Sequence, residues 1–252
     1  MTIDYPAAHQ IQALRELWQE AFGDSDAFLD AFFETAFSPE RCRVVTEEGR
    51  IAAALYWLDC QCAGRKFAYL YAVATGHSYR RRGLCRALMA DTHNRLAESG
   101  YTGAILVPGE PSLRAFYAGM GYLPGGKIAT LKCVPGDKAA LLRPIGPAEY
   151  ARRRAQLLPE NGVIQAGENL DFLARICRLY DGGDFLLAAN VEDGVVRGLE
   201  LLGNTTAAPG IVAALGAELG EFRIPGDEFP FAMYYPLTAN CPEPGYFGLA
   251  FD

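Results

Sequence analysis

The sequence holds only 3 histidines, 2 tryptophans and 4 methionines in 252 residues. His9, His77 and His93 lack metal-ligand spacing, and the seven cysteines contain no Cys-x-x-Cys pair, so no metal site is expected. Cys42, Cys60, Cys62, Cys85, Cys133, Cys177 and Cys241 are odd in number and scattered, which reads as small buried thiols and not as a disulfide framework. Long apolar runs are missing too. A stretch such as residues 51–58 is far too short to span a bilayer. Met1-Thr2-Ile3-Asp4 has neither the basic flank nor the apolar core of a secretory signal. A cytoplasmic protein with no membrane partner is expected. Positive charge is in deficit: 23 Lys and Arg face 30 Asp and Glu, giving a net charge of −7 and a pI near 5.1. That excludes the basic footprint of a general nucleic-acid binder and favours encounter with cationic partners such as amines.

What is present is a chain that is half hydrophobic and long enough for one large domain or two small ones. Ile11, Leu14, Trp18 and Phe22 fall at helical spacing. Asp24-Ser25-Asp26 offers a cap to a second helix carrying Phe28, Leu29, Phe32 and Phe33. A meander follows, with strands predicted over 41–46, 51–61 and 66–75, separated by turns at Glu47-Glu48-Gly49-Arg50 and Ala63-Gly64-Arg65. A helix is predicted over 83–99, a strand over 101–107, a short helix over 111–120 and a strand over 127–133. Val134-Pro135-Gly136-Asp137-Lys138 has the composition of a linker, which divides the chain into domains 1–137 and 138–252. Beyond it come helices over 147–157 and 169–179, strands over 185–190 and 195–202, and a short helix over 210–219. Two local matches point to an internal repeat. Glu47-Glu48-Gly49 pairs with Glu192-Asp193-Gly194, and Val107-Pro108-Gly109-Glu110 pairs with Ile224-Pro225-Gly226-Asp227. The offset shrinks between the two matches, so the second copy is expected to lack counterparts of strand 66–75 and of the loop after it.

That loop is Tyr79-Arg80-Arg81-Arg82-Gly83-Leu84-Cys85, between a strand and a helix. A helix N-terminus already carries positive partial charge and unpaired N–H groups, so adjacent arginines are disfavoured there unless an anion joins them. Gly83 lets the backbone approach that anion. A solvated basic run is the ordinary alternative. A nucleotide P-loop would need a lysine and a Ser or Thr after the glycine, and neither is present.

Arg80-x-x-Gly83-x-Cys85 resembles the Gln/Arg-x-x-Gly-x-Gly/Ala signature of the GCN5-related N-acetyltransferases (GNAT), whose loop holds the CoA pyrophosphate. Val73-Ala74-Thr75 is similar to the end of that family's fourth strand, and Phe116-Tyr117-Ala118-Gly119-Met120-Gly121-Tyr122 to its Tyr-x-x-x-Gly-Phe segment. The resemblance covers about residues 1–134. It departs from the pattern at Cys85, which replaces Gly or Ala, and at Glu110, where many members carry Asn. The repeated layout resembles the tandem acetyltransferases, including the enhanced-intracellular-survival type, in which a degenerate second copy packs on the active first. The third, sterol-carrier-like domain of longer relatives is not expected within these 252 residues.

The resemblance implies an α/β (α+β) fold of the acyl-CoA N-acyltransferase type: a mixed, mostly antiparallel sheet with flanking helices, followed by a second, degenerate GNAT-like domain. It implies acetyl-CoA as cosubstrate, a primary amine of a small molecule or peptide as acceptor, and no metal. Backbone N–H groups at Val73, Ala74 and Thr75 would polarise the acetyl carbonyl. Arg80, Arg81, Arg82, Gly83, Leu84, Cys85 and Arg86 would cradle the pyrophosphate, with Glu110 at the usual Asn position. Tyr117 would protonate the leaving thiolate. That transfer runs uphill by about 2 kcal/mol, from a phenol pKa near 10 to a thiol near 8.5, so proximity must offset it. Glu110, Asp59 and the terminal carboxylate of Asp252 are the candidates for the general base. Tyr56, Trp57, Tyr69 and Tyr71 are candidates for the acceptor pocket. One acetyl-CoA per chain is expected, because no arginine lies between Arg197 and Arg223 in the second copy. The alternative is a non-catalytic acyl-CoA-binding protein with a blocked acceptor site. A homo-oligomer is left open.

Overall fold

A computed structural model describes residues 1–251. By contacts the chain divides into two compact units that do not follow chain order. The first comprises Met1–Cys60, Arg65–Leu106 and Tyr235–Cys241, and the second Gln61–Gly64, Val107–Tyr234 and residues 242–251. The linker read at residues 134–138 therefore lies inside the second unit. No helix among the described residues is long and apolar enough to cross a membrane.

The first unit contains β1 (Thr2–Asp4), α1 (Ile11–Phe22), α2 (Asp26–Thr35), β2 (Cys42–Glu47), β3 (Arg50–Cys62), whose last two residues count with the second unit, β4 (Arg65–Thr75), α3 (Leu84–Glu98) and β5 (Gly103–Leu106). Its strands lie in that order in one sheet, antiparallel from β1 to β3, with β5 parallel to β4. The helices form where the sequence marks them. Leu14, Leu17 and Trp18 are the buried stripe of α1, and Gly23 ends it in a left-handed conformation. Ser25 Oγ accepts the Phe28 amide at 3.3 Å and so caps α2. Both hairpin turns, Glu48-Gly49 and Ala63-Gly64, have positive φ at both residues, which matches the twist of the flanking strands.

The register of β2 and β3 sorts the two faces of this sheet. Cys42 lies opposite Tyr56 and Arg43 opposite Leu55, so the two pairs point to opposite sides. On the Tyr56 side Trp18 sits 4.7 Å from Phe32, 5.2 Å from Tyr56 and 5.5 Å from Tyr71, ring centre to ring centre. On the other side lies α3. Arg43, 1% exposed, donates from Nε to Asp91 of α3 at 2.7 Å and from Nη2 to the Ile3 carbonyl at 3.1 Å. One buried guanidinium thus ties α3 and β1 to β2.

The second unit contains α4 (Leu113–Ala118), β6 (Leu123–Cys133), β7 (Arg143–Pro144), α5 (Pro147–Leu157), β8 (Ile164–Gln165), α6 (Glu168–Ile176), β9 (Arg178–Asp181), β10 (Phe185–Glu192), β11 (Val195–Gly203), α7 (Ala208–Ala214) and β12 (Leu219–Pro236), whose last two residues count with the first unit. Its strand order is β7-β9-β10-β11-β12, with β6 also on β12. All these pairs are antiparallel except β11 with β12, which is parallel. Arg154 and Glu200, 1% and 0% exposed, form a bidentate pair in this core, at 2.6 Å from Nε and 2.9 Å from Nη2.

The sequence β7, α5, α6, β9, β10, β11, α7, β12 repeats β1, α1, α2, β2, β3, β4, α3, β5, with the same order in the sheet and the same final parallel pair. This corrects the frame of the expected repeat. The predicted helix 169–179 ends at Ile176, where Cys177 turns extended, and residues 178–181 are strand β9. Glu192-Asp193-Gly194 is consequently the counterpart of Ala63-Gly64 and not of Glu48-Gly49. Val107-Pro108 and Ile224-Pro225 are placed differently: the first pair follows β5, whereas the second lies within β12, with Ile224 opposite Ala129 of β6. In this order of elements β11 stands where β4 does, and the residues between β11 and α7 contain no arginine.

In the first unit His93 of α3 is 7% exposed and stacks on Tyr235 at 4.0 Å, and burial lowers its pKa to about 4. Its folded pKa lies below the unfolded value near 6.5, so the unfolded chain binds the extra proton. Stability should fall as pH falls from about 6.5 to 4, by on the order of 3 kcal/mol from this residue. Urea unfolding of His93→Phe should show a pH dependence shallower by that amount. Identical pH slopes for the two proteins would refute the assignment.

Candidate functional site

The site begins where β4 outlasts its neighbour. Among the described residues β4 pairs with β5 only through Phe67, Ala68 and Tyr69, opposite Gly103, Ala104 and Ile105. The strand continues to Thr75. Ala72 has a φ of 47°, outside the extended range of the strand around it, so the pleat breaks there as at a β-bulge. Val73, Ala74 and Thr75 follow that break with no β5 residue alongside, which leaves their β5-facing backbone groups outside that ladder.

The connecting loop is held at several points. The Gly76 amide donates to the Ala52 carbonyl at 3.0 Å. Glu20 of α1 accepts the His77 amide at 2.5 Å and lies 2.9 Å from His77 Nδ1. Arg80 Nε donates to the Thr75 carbonyl at 3.1 Å. Arg81 and Gly83 are both left-handed, with φ of 62° and 78°. Alternating backbone handedness of this kind turns successive N–H groups inward as an anion-binding nest. A Cβ on Gly83 would meet nothing within 4 Å, so the requirement for glycine there is conformational and the space is open. Helix α3 has no side-chain cap at Gly83, and the amide of Ala87 donates to the Gly83 carbonyl at 3.0 Å. The amides of Leu84 and Cys85 precede that first bond, in the turn that lacks intrahelical partners.

The arginines do not all face the nest freely. Arg82 pairs with Glu47 at 2.7 Å, with the carboxylate 15% and the guanidinium 50% exposed. Arg80, Arg81 and Arg86 are exposed. Cys85 is half-buried, and burial, opposed by Arg86, pushes its thiol up to about 11, so it is a neutral thiol at physiological pH.

The remaining expected residues fall elsewhere. Tyr117 and Glu110 belong to the second unit. Tyr117 is buried on α4, with ring centres 5.4 Å from Phe116 and 5.6 Å from Tyr122. Glu110 is exposed and accepts Ser112 Oγ at 3.2 Å. Asp59 is corrected as a base candidate. Cys60 Sγ donates to the Phe67 carbonyl, which sets Asp59 beside Ala68, whereas Ala52 lies beside Gly76. Val73 is therefore about five residues, roughly 16 Å, further along the sheet. Asp59 is also committed, accepting the Tyr101 hydroxyl in a short bond and pairing with Arg41 at 3.8 Å. Tyr56 and Tyr69 are core residues, 3% and 2% exposed, and Trp57 donates to Tyr101 Oη at 3.2 Å; only Tyr71 of that set is half-buried. Asp252 lies outside the described residues. A depression lined by Arg178, Tyr180, Asn190 and Glu192 in the second unit holds none of these side chains. Sequence reading missed Glu20 and Glu47, which hold the loop; Glu47 was visible only as a turn residue.

Residues 2–125, just under half of the chain, match the family described as the acetyltransferase (GNAT) domain. The chain is similar to the N-acetyltransferase Eis of Mycobacterium tuberculosis and Mycobacterium bovis, at 31% identity over 132 residues, covering 44% of this chain and 32% of the relative. The chain thus spans about a third of the length of these curated relatives. Among solved structures it resembles a GCN5-related N-acetyltransferase from Kribbella flavida, with a TM-score of 0.72, 18% identity and coverage of 92% of this chain and 70% of that one. Eis1 from Mycobacterium abscessus gives a TM-score of 0.67 at 14% identity, covering 94% and 74%. At these identities the structural likeness concerns the fold.

Because burial holds Cys85 protonated, iodoacetamide at pH 8 should alkylate it about 100-fold more slowly than an unperturbed thiol, the thiolate being the reactive form. Peptide mapping checks this. Modification at the rate of a free cysteine in the native protein would contradict the buried placement.

Proposed function

We propose that this protein transfers an acetyl group from acetyl-CoA to a primary amine of a small molecule or peptide. The observation that carries the reading is the loop at the head of α3, with Arg81 and Gly83 left-handed, inside a segment that matches the acetyltransferase (GNAT) domain. The residues fit the group: the Gly83 position is open, the adjoining amides start a helix, and the flanking side chains are cationic. Bound acetyl-CoA supplies the acyl group in activated form, as a thioester. The amides of residues 81–86, with Arg80 and Arg81, hold its pyrophosphate. The amides of Val73 and Thr75 receive the carbonyl oxygen as it gains negative charge. The neutral amine attacks the thioester carbon, Tyr117 gives its hydroxyl proton to the departing sulfur, and the proton lost by the nitrogen as the amide forms restores the phenol through solvent. A cytoplasmic location belongs to the same reading.

The second unit is a degenerate copy in this proposal. It supplies the same strand order but no arginine between Arg197 and Arg223, so each chain binds one acetyl-CoA. One observation favours a second reading, a CoA-binding protein without turnover: Asp59, a carboxylate named for the base, is committed to Tyr101 and Arg41.

Calorimetric titration with acetyl-CoA should give a stoichiometry near one. Reversing charge at Arg80 and Arg81 to Glu should weaken binding by on the order of 100-fold, as expected for losing charge-assisted contacts. Arg82 is the poorer site for this test, because its reversal would set a carboxylate against Glu47. Two comparable sites, or undiminished affinity, would reject the cradle.

Tyr117→Phe should lower kcat by roughly 100-fold, the scale of a lost general acid, while leaving acetyl-CoA affinity within about twofold. Thiol release against a panel of amines is the measurement. Full kcat in the variant would make Tyr117 a packing residue. No release by the unaltered protein with any amine, despite binding, would favour the second reading.

A further inference from the structure

We infer that Glu47 is a positioning residue that clamps the cradle loop in its anion-binding shape through Arg82. Its ligand rests on the acetyl-CoA reading above; the clamp itself does not. The loop has a problem to solve. Arg81 is a non-glycine residue in the left-handed region, where its Cβ crowds the backbone and the conformation is disfavoured. Gly83 is left-handed without that cost but gains backbone freedom when unfolded. An exposed loop with this geometry needs an anchor, and Arg82, the residue between the two left-handed positions, has one. Its guanidinium meets Glu47 at 2.7 Å and lies 5.7 Å from the Tyr79 ring. Glu47 is a firm support. It is the last residue of β2, lies opposite Arg50 across a tight turn, and is 15% exposed. An ordinary surface pair of two mobile side chains contributes little; here one partner is mostly buried and fixed to the sheet. Glu20 does the same at the other end of the loop, where it accepts the His77 amide.

The clamp has an electrostatic consequence. A bare carboxylate beside the nest would repel an anion, but paired with Arg82 it is neutralised, and Arg80 and Arg81 remain to supply positive charge. The opposite role, in which Glu47 occupies Arg82 and acts as a brake on the ligand, makes the opposite prediction. Removing a clamp weakens binding, whereas removing a brake tightens it.

The test uses Glu47→Ala and Glu47→Gln in the full chain. Without ligand, native-state trypsin cleavage after Arg80, Arg81 or Arg82 should accelerate about tenfold in Glu47→Ala, since cleavage follows the population of the opened loop. Cleavage after Arg95, within α3, serves as the internal control and should not change. Affinity for CoA should fall about tenfold, with kcat at saturation changing much less, and Glu47→Gln, which keeps a neutral hydrogen bond, should fall between. Unchanged loop cleavage, or tighter CoA binding in Glu47→Ala, would overturn the clamp. Faster cleavage throughout the chain would overturn it too, as a general loss of stability. If the unaltered protein binds no CoA, the functional reading fails, and the cleavage rates alone decide the clamp.

Discussion

Two parallel neighbouring strands cannot be joined by a hairpin, and this constraint organises the first unit. After β4 the chain must cross one face of the sheet before it can enter β5 beside it. Helix α3 is that crossing, so its N-terminus is delivered to the end of β4, where Thr75 gives way to the loop. Unpaired amides and the positive end of a helix collect at that place whatever the side chains are. The side chains then decide what is made of it. Here β4 runs past β5, the bulge at Ala72 breaks its pleat, and the arginine loop fills the space beyond. The crossing helix stays in register because Arg43, buried to 1%, holds Asp91. A buried charge left without its partner is far more costly than an exposed one, so the cradle stands on an ion pair remote from it in sequence.

The second unit meets the same constraint and answers it differently. Strands β11 and β12 are parallel, and α7 makes the crossing. Asn204 accepts the Thr206 amide at 3.1 Å and the Thr206 hydroxyl at 2.6 Å, so a side chain caps the short 3-10 turn, Thr205–Ala207, that leads into α7. At Gly83 there is no such side-chain cap. One topology therefore delivers two helix starts, neither capped by a side chain, and they differ in their loop residues, with three arginines just before α3 and none just before α7.

Legibility follows the range of the interactions. Helices α1 and α2, the Ser25 cap and both hairpin turns are encoded locally, and each lies within a few residues of its expected place. The arginine loop was legible because three arginines at a helix start conflict with the helix dipole. What could not be read depends on distant partners. Nothing near Glu47 in sequence announces Arg82, nor does anything near Asp59 announce Tyr101 and Arg41. The strand β9 was hidden for a different reason. Leu173, Ile176 and Leu179 keep a helical interval across the break at Cys177, so periodicity favoured a longer helix. Read as helix, residues 177–179 conceal β9, and the strand count of the second unit comes out one short. The interleaving of the two units, in which residues 235–241 count with the first, has no local signature at all.

The charge distribution links these parts to the proposed reaction, which must bring together an anionic thioester donor and a cationic amine. A chain of net charge −7 attracts the second and repels the first at long range. At physiological ionic strength, however, charges more than about 8 Å from the ligand are largely screened. The donor therefore meets mainly its nearest groups, the amides of the nest with Arg80 and Arg81, and the overall acidity matters little once it is docked. Pairing Arg82 with Glu47 does not waste charge under these conditions. It exchanges one unit of local attraction for a loop already in shape, so that less of the binding free energy is consumed in ordering it. A stiff, modestly charged cradle on an acidic protein is thereby suited to hold an anion at contact without discouraging the approach of amines.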